Sequence, residues 1–176
     1  MSQLSKIQWR EEFKKRAKFF FENTEEHNLE KIHLGISANL NNYFSQNFLP
    51  KEIRQSIVGI YKPMRYELPV KNILRHTQAL KSVLLAYPEY NGEAMWFVEE
   101  KNLTHVIPNF FIVPGLFVDT CGNRLGRGKG YYDRYFKTCT VPLERRIFLG
   151  YPFQFVDTLP NDANDEKVAP LLFASL

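Results

Sequence analysis

Residues 109–134 read NFFIVPGLFVDTCGNRLGRGKGYYDR, and this stretch carries the clearest structural pattern in the chain. It begins with a short apolar run over 109–113 that Pro114-Gly115 ends, which predicts a buried β-strand. A glycine-rich segment, Gly122–Arg134, follows, and its last residues begin a helical pattern over 132–137. A strand, a glycine-rich turn and a helix in this order favour an α/β fold.

The same alternation extends through the rest of the chain. Apolar residues at helical spacing predict helices over 4–21, 29–44 and 70–80. Short β-branched and aromatic runs predict strands over 56–61, 83–87, 94–98 and 146–150, with a short last strand over 171–173. Pro88 is expected to end the second strand. The order predicts a three-layer, Rossmann-like α/β fold, in which helices cover both faces of an open, mostly parallel sheet.

Composition narrows the class of protein. The chain has 176 residues, which suits one domain over 1–176, and no linker or repeat divides it. The 44% of hydrophobic residues and the 15% of aromatic residues exclude a disordered chain. The net charge of +4 is smaller than a dedicated nucleic-acid-binding protein usually carries. We therefore expect an anionic small molecule as partner, and no nucleic acid.

The cysteines and the apolar runs indicate the cellular compartment of the protein. Cys121 and Cys139 form neither a metal-ligand pattern nor a disulfide framework, which suggests a reducing compartment. The charged N-terminal stretch lacks the apolar core of a signal peptide. No apolar run reaches the length of a membrane span. These features predict a cytoplasmic protein without a membrane partner, and we expect a monomer.

The glycine-rich segment combines backbone freedom with positive charge. Glycine lets backbone amides approach a ligand closely, and successive amides in such a turn form an anion-binding concavity. The helix that follows adds the positive end of its dipole. The segment alternates glycines with cations and has further arginines at each end: Arg124, Gly126, Arg127, Gly128, Lys129, Gly130 and Arg134. This arrangement indicates a site for several phosphate oxygens.

Two known phosphate motifs do not fit, and a less specific explanation remains open. The segment lacks the Walker A order and does not follow the first strand, as a dinucleotide fingerprint would. A basic surface loop without a ligand is the alternative. Lys6, Arg10 and Lys14 are spaced four residues apart, and by themselves they indicate a solvated basic stripe. The residues alone therefore predict a polyphosphate site with the carboxylate of Asp133 nearby, and no more.

The sequence GNRLGRGKGYYDR from Gly122 to Arg134 resembles the signature G-x-R-L-G-x-G-x-G-Y-Y-D of the 5-formyltetrahydrofolate cyclo-ligase family, also called methenyltetrahydrofolate synthetase. Other segments resemble the family in the same order: Lys6–Arg10, Tyr61–Glu67, Phe111–Phe117 and Asn164-Asp165. The resemblance implies that 5-formyltetrahydrofolate and ATP are converted into 5,10-methenyltetrahydrofolate, ADP and phosphate, with Mg²⁺ as cofactor.

The resemblance also implies roles for individual residues. Arg10, Arg127 and Lys129 are expected to be catalytic, and Asp133 and Asp165 to bind the metal. ATP is expected to contact Lys6, Arg10, Arg124, Leu125, Gly126, Arg127, Gly128, Lys129, Gly130, Tyr131 and Tyr132. The folate is expected to contact Arg10, Tyr61, Lys62, Glu67, Arg127, Gly128, Lys129, Gly130 and Tyr131.

Each carboxylate also has a simpler interpretation when it is considered alone. Asp133 and Glu67 could be charges at helix starts, and Asp165 could be a turn residue. The family segment with an Ile-Pro-Glu-Pro-like sequence has no counterpart between Val98 and Asn109, so the folate pocket is expected to be shallower or differently built. A non-catalytic folate- or nucleotide-binding protein of the same fold is the main alternative. A nucleic-acid-binding module is the other, and a steep salt dependence of its affinity would reveal it.

Overall fold

The computed structural model describes residues 4–170. The helices within this range are α1 (Lys6–Asn23), α2 (Glu26–Asn47), α3 (Pro50–Arg54), α4 (Val70–His76) and α5 (Tyr131–Thr138). The strands are β1 (Ile57–Gly59), β2 (Leu84–Asn91), β3 (Ala94–Glu99), β4 (His105–Val106), β5 (Phe110–Ile112), β6 (Phe117–Asp119), β7 (Arg124–Leu125), β8 (Arg146–Phe148), β9 (Phe155–Val156) and β10 (Ala169–Pro170).

Seven strands form the main sheet, in the order β10-β8-β5-β1-β2-β3-β4. The strands from β10 to β2 run parallel to their neighbours. Only β3 and β4, at one edge, are antiparallel. The prediction of a mostly parallel sheet is therefore confirmed.

Both faces of this sheet are buried. Successive side chains of a strand point to opposite faces, so neighbouring residues of β5 show what covers each face. Phe110 and Ile112 of β5 lie in one apolar cluster with the buried residues of α2 and α4. Phe111, between them, and Val113 lie in a second cluster with the buried residues of α5. Helices thus cover both faces, as the three-layer prediction requires.

A second, smaller sheet that the sequence analysis did not anticipate consists of β7, β6 and β9. Helix α1 packs on it: Phe13 and Ala17 are buried in a third cluster with Leu116, Phe117 and Leu125. β7 consists of Arg124–Leu125, so this sheet fixes the start of the glycine-rich segment. The small sheet therefore helps to hold α1 beside the predicted site, together with the contacts of Phe20 with Tyr151 and Phe153.

Several boundaries differ from the sequence prediction by a few residues, and two of the differences are informative. Pro88 does not end β2, which continues to Asn91 and pairs with β3. The pairing of β2 with β1 ends at Ala86, so beyond that point β2 has a neighbour on one side only, where a proline is tolerated. The helix predicted over 70–80 ends at His76 and is followed by a 3₁₀ turn, Gln78–Leu80.

Three further predictions concern the last strand, a membrane span and the segment between β3 and β5. The short strand predicted over 171–173 lies outside the described residues. Within the described range, no helix combines the length and the apolar character that crossing a membrane requires. Between β3 and β5, where the family-like segment is missing, the chain forms only the short edge strand β4.

Candidate functional site

A cavity of about 620 Å³ opens at the carboxyl ends of the parallel strands. This volume lies in the range of small-molecule sites, and the position is the usual one for an open parallel sheet. The structure brings every predicted site residue to its wall: Lys6, Arg10, Tyr61, Lys62, Glu67, Arg124, Leu125, Gly126, Arg127, Gly128, Lys129, Gly130, Tyr131, Tyr132, Asp133 and Asp165. Their individual roles stay predictions.

The glycine-rich segment presents its backbone to this cavity. None of the N–H groups from Gly126 to Gly130 donates a hydrogen bond to another residue of the described range. Gly128 has a φ of 94°, a conformation that side-chain-bearing residues rarely adopt. A Cβ at Gly128 would also lie 3.2 Å from the guanidinium of Arg10. The result is a concave row of free amide donors beside a cation, which suits an anion.

A buried carboxylate that the sequence analysis missed holds the start of this segment. Asp119, at the end of β6, is only 2% exposed. Its oxygens accept the N–H groups of Cys121 and Asn123, both at 2.9 Å, the Nδ2 of Asn123 at 2.8 Å and the N–H of Leu159 at 3.0 Å. Asp119 therefore ties the turn to the C-terminal part of the chain. An aspartate directly before Thr-Cys-Gly-Asn is a turn signal in the sequence, but its link to Leu159 is not.

Helix α1 contributes two cations to the cavity, at successive turns. The Nε of Arg10 donates to the carbonyl oxygen of Gly126 at 3.1 Å. The Nζ of Lys6 contacts Asp162 at 2.6 Å and Asp165 at 2.5 Å. Desolvation lowers the pKa of Lys6, but the hydrogen bonds to both aspartates outweigh it, so the pKa is raised overall. Lys14, the third member of the stripe, is exposed and pairs with Glu11.

The two predicted metal-binding carboxylates line the same cavity, and each is held by a cation. The nearly buried Arg124 donates from NH2 to Oδ1 of Asp133 at 2.8 Å, and the N–H of Glu166 reaches the same oxygen at 3.2 Å. On Asp165, Oδ2 accepts both Lys6 and the N–H of Asp162. In each carboxylate, the second oxygen has no hydrogen-bond partner in the described range.

This donor set fits Mg²⁺, although it is incomplete by itself. The described residues contain no group of three or more His, Cys, Asp or Glu side chains that could hold a metal. Mg²⁺ is commonly bound by one or two carboxylates together with substrate phosphates and water. Asp133 and Asp165, each with a free oxygen beside the row of amide donors, match that requirement.

The cavity wall also contains Glu67, whose side chain is 6% exposed. Its Oε1 accepts Nε and NH2 of Arg127 at 3.0 and 2.9 Å, and its Oε2 accepts the N–H of Met64 at 2.9 Å. Tyr66, just before it, has a φ of 70°, which is uncommon for a residue with a bulky side chain. Glu67 lines the cavity, and its own N–H donates to the carbonyl oxygen of Met64 at 3.0 Å, so the segment 64–67 forms a tight turn.

Aromatic residues complete the wall. Tyr61 and Tyr132 are buried, and burial raises the pKa of both phenols, so both stay neutral. The ring of Tyr131 lies 4.5 Å from that of Tyr90, centroid to centroid, and its hydroxyl donates to the carbonyl of Gly92 at the tip of the β2–β3 hairpin. The sequence analysis missed five wall residues: Met64, Pro88, Tyr90, Pro114 and Gly115.

Known proteins resemble this chain in both sequence and fold. Residues 48–173 match the model of the 5-formyltetrahydrofolate cyclo-ligase family. The chain belongs to this family. Among curated 5-formyltetrahydrofolate cyclo-ligases, the mouse protein is 39% identical over 79 residues, which are 43% of this chain and 39% of that protein. The Mycoplasma genitalium protein is 26% identical over 160 residues, which are 82% of this chain and 94% of that protein.

Solved structures of cyclo-ligase relatives confirm the fold. A 5,10-methenyltetrahydrofolate synthetase from Mycoplasma pneumoniae superposes with a TM-score of 0.73 at 20% identity, covering 98% of this chain and 100% of that one. The Aquifex aeolicus 5,10-methenyltetrahydrofolate synthetase gives a TM-score of 0.70 at 24% identity, covering 94% and 87%. The expected family and the expected fold are thus both confirmed.

Proposed function

We propose that this cyclo-ligase family member converts 5-formyltetrahydrofolate and Mg·ATP into 5,10-methenyltetrahydrofolate, ADP and phosphate. One observation carries the proposal: the free amide donors of residues 126–130 and the nearly buried carboxylate of Glu67 face one cavity. The first group suits phosphates, and the second suits the N–H donors of a pterin. A cavity with both features fits a reaction between a nucleotide and a folate.

The reaction needs an oxygen to become a leaving group. The formyl oxygen on N5 belongs to an amide and leaves poorly as hydroxide. Transfer of the γ-phosphoryl group from ATP to this oxygen releases ADP and makes the oxygen part of a phosphate ester. N10 then attacks the formyl carbon and loses its proton to the departing phosphate, and the C–O bond breaks with release of that phosphate. Phosphoryl transfer requires in-line positioning and neutralisation of charge more than covalent help from the protein.

The phosphate side of the cavity supplies both requirements. Lys129 is exposed and has no hydrogen-bond or ion-pair partner in the described range, so its charge is available to a ligand. Arg10 and Arg127 reach the cavity from α1 and from the glycine-rich segment. Donors that are already in place when charge develops on the transferring group stabilise the transition state without reorganisation. We assign these three cations to this stabilisation in the complex with both substrates bound.

Asp133 and Asp165 are the residues that would hold Mg²⁺. When bound there, the ion would neutralise charge on the phosphate oxygens of ATP. Arg124 keeps Asp133 oriented, and Lys6 does the same for Asp165. The two carboxylates therefore present their free oxygens from fixed positions.

On the folate side, Glu67 would accept two N–H donors of the pterin, as an ionised carboxylate can. Tyr61, Lys62 and Tyr131 also line the cavity and would pack against the flat ring system or pair with its acidic tail. Because β4 replaces the longer family segment, we propose that the β2–β3 hairpin, through Tyr90, frames the folate side instead. We further propose a single cytoplasmic unit that acts as a monomer, and the two free cysteines support a reducing compartment.

A spectrophotometric assay tests the proposal. The purified protein with 5-formyltetrahydrofolate and Mg·ATP should produce the near-ultraviolet absorbance of methenyltetrahydrofolate together with one ADP per product. Omission of Mg²⁺, or of the nucleotide, should abolish the signal. Product formation at full rate without nucleotide would contradict the phosphoryl-transfer mechanism. Binding of both ligands without turnover would instead support the non-catalytic alternative.

A further inference from the structure

An ion pair joins the glycine-rich segment to Glu67 across the cavity wall. Arg127, which we assign to the phosphates, directs Nε and NH2 to the same oxygen of Glu67, which we assign to the pterin. The other oxygen of Glu67 already accepts the N–H of Met64. Both oxygens of the carboxylate are therefore engaged inside the protein. While this arrangement persists, the pterin cannot take the place of Arg127 on Oε1, and Nε and NH2 of Arg127 are not directed at a phosphate.

The two partners differ in their access to water. The side chain of Glu67 is 6% exposed, whereas that of Arg127 is 41% exposed. A nearly buried ion that loses its partner is destabilised much more than one that water still reaches. Movement of Arg127 alone would therefore leave Glu67 in an unfavourable state, whereas Arg127 tolerates the loss of Glu67 more easily.

The backbone around Arg127 allows its side chain to be redirected. Gly126 and Gly128 flank it, and Gly128 has a φ of 94°. Glycine reaches conformations on both sides of φ = 0 at little cost, so a change of direction at Arg127 does not require α5 or β7 to move.

We propose that the Arg127–Glu67 pair couples the binding of the two substrates. Arg127 exchanges Glu67 for phosphate oxygens, and the N–H donors of the pterin take its place on Glu67. The nucleotide alone leaves Glu67 unpaired, and the folate alone leaves Arg127 unpaired. With both ligands bound, each charge has a new partner, so each ligand favours the other. This coupling rests on the proposed function.

Thermodynamic linkage determines how the binding of one ligand changes the affinity for the other. Each ligand must raise the affinity of the other by the same factor, and couplings between sites are typically about 5–150-fold. We expect a factor of at least about fivefold here. The mechanism also makes a prediction about one ligand alone: removal of the charge of Glu67 should free Arg127, and the nucleotide should then bind more tightly in the absence of folate.

The test is an equilibrium titration with a non-hydrolysable ATP analogue and Mg²⁺, with and without saturating 5-formyltetrahydrofolate. In the wild type, the folate should tighten analogue binding at least about fivefold. In Glu67→Gln, the analogue alone should bind more tightly than to the wild type, and the folate should change its affinity less than twofold. The matched control is Glu89→Gln, which removes the same charge from a half-exposed residue that pairs with Lys62 and has no contact with Arg127.

The Glu89→Gln control distinguishes loss of the Arg127–Glu67 ion pair from the general effect of removing one negative charge. If Glu67→Gln binds the analogue no more tightly than Glu89→Gln does, or if the two ligands bind the wild type independently, the coupling is refuted and the proposed function stands. Absence of folate binding to the wild type would contradict the proposed function itself. If Glu67→Gln does not fold, Arg127→Gln replaces it, and its folate affinity should not respond to the analogue.

Discussion

The two ends of the cavity are built in different ways. The part of the wall that we assign to phosphates, called the phosphate end below, consists mainly of consecutive backbone amides and cations between Arg124 and Gly130, within one stretch of chain. The folate end consists of single side chains from separate segments, such as Tyr61 after β1, Glu67 before α4 and Tyr90 in β2. A site made of consecutive backbone is visible as a sequence motif. A site made of scattered side chains exists only after the chain has folded.

The phosphate end nevertheless depends on distant residues. The buried carboxylate of Asp119 accepts N–H groups of the turn and also the N–H of Leu159, so it connects the two segments. The carbonyl of Gly122 accepts the N–H of Val168, and a Cβ at Gly122 would lie 2.3 Å from the carbonyl oxygen of Val168. The motif is therefore local in sequence, but its shape requires the C-terminal part of the chain.

The largest expected effect tests the backbone character of the phosphate end. Gly128→Ala should lower kcat/KM at least about hundredfold, as loss of one transition-state donor does, because φ = 94° is strained for alanine and the methyl group displaces Arg10. The matched control is Gly35→Ala in α2, where a Cβ meets nothing within 4 Å. Alanine should stabilise that helix by about 0.5–1 kcal/mol and leave turnover unchanged. Normal kinetics in Gly128→Ala would mean that the amides do not bind the nucleotide.

A smaller effect, on the stability of the fold, is expected at Asp119, which supports the same segment. Asp119→Asn places an amide NH₂ where the carboxylate now accepts N–H groups, so the free energy of unfolding should fall by about 1–3 kcal/mol. Urea denaturation measures this change. Asp157→Asn, on an exposed residue, is the control and should stay within about ±0.5 kcal/mol. Equal stability of both variants would show that the turn holds its shape without Asp119.

The smallest effect concerns the folate end. Tyr90→Ala removes the ring that lies 4.5 Å from Tyr131, and such aromatic pairs contribute about 0.5–1.5 kcal/mol. Folate affinity should therefore fall by about 2–12-fold, while the affinity for the ATP analogue changes less than twofold. Leu84→Ala, a partly exposed residue of the same strand outside the cavity, controls for effects on β2. Equal losses for both ligands would place Tyr90 at the nucleotide and not at the folate.

Local patterns predicted most of the main sheet correctly, and the failures have physical causes. The strand over 109–113 and the helix after the glycine-rich segment were identified because an apolar run and helical spacing are short-range signals. The hairpin of β2 and β3 was not recognised, although the Asn91-Gly92 pair is a turn signal and the connection is too short for a parallel crossover. The small sheet has strands of two or three residues, too short for any periodicity to show.

By itself, the sequence determined the class of fold and located the glycine-rich wall of the cavity, because the residues that carry this information are consecutive and their spacing is readable. Only the tertiary structure decided that Lys6 meets Asp165, that Arg127 meets Glu67 and that Asp119 supports the turn. These contacts join segments that are far apart along the chain. Which distant segments meet depends on how the two sheets and α1 pack together, and this is a property of the whole chain that no local pattern encodes.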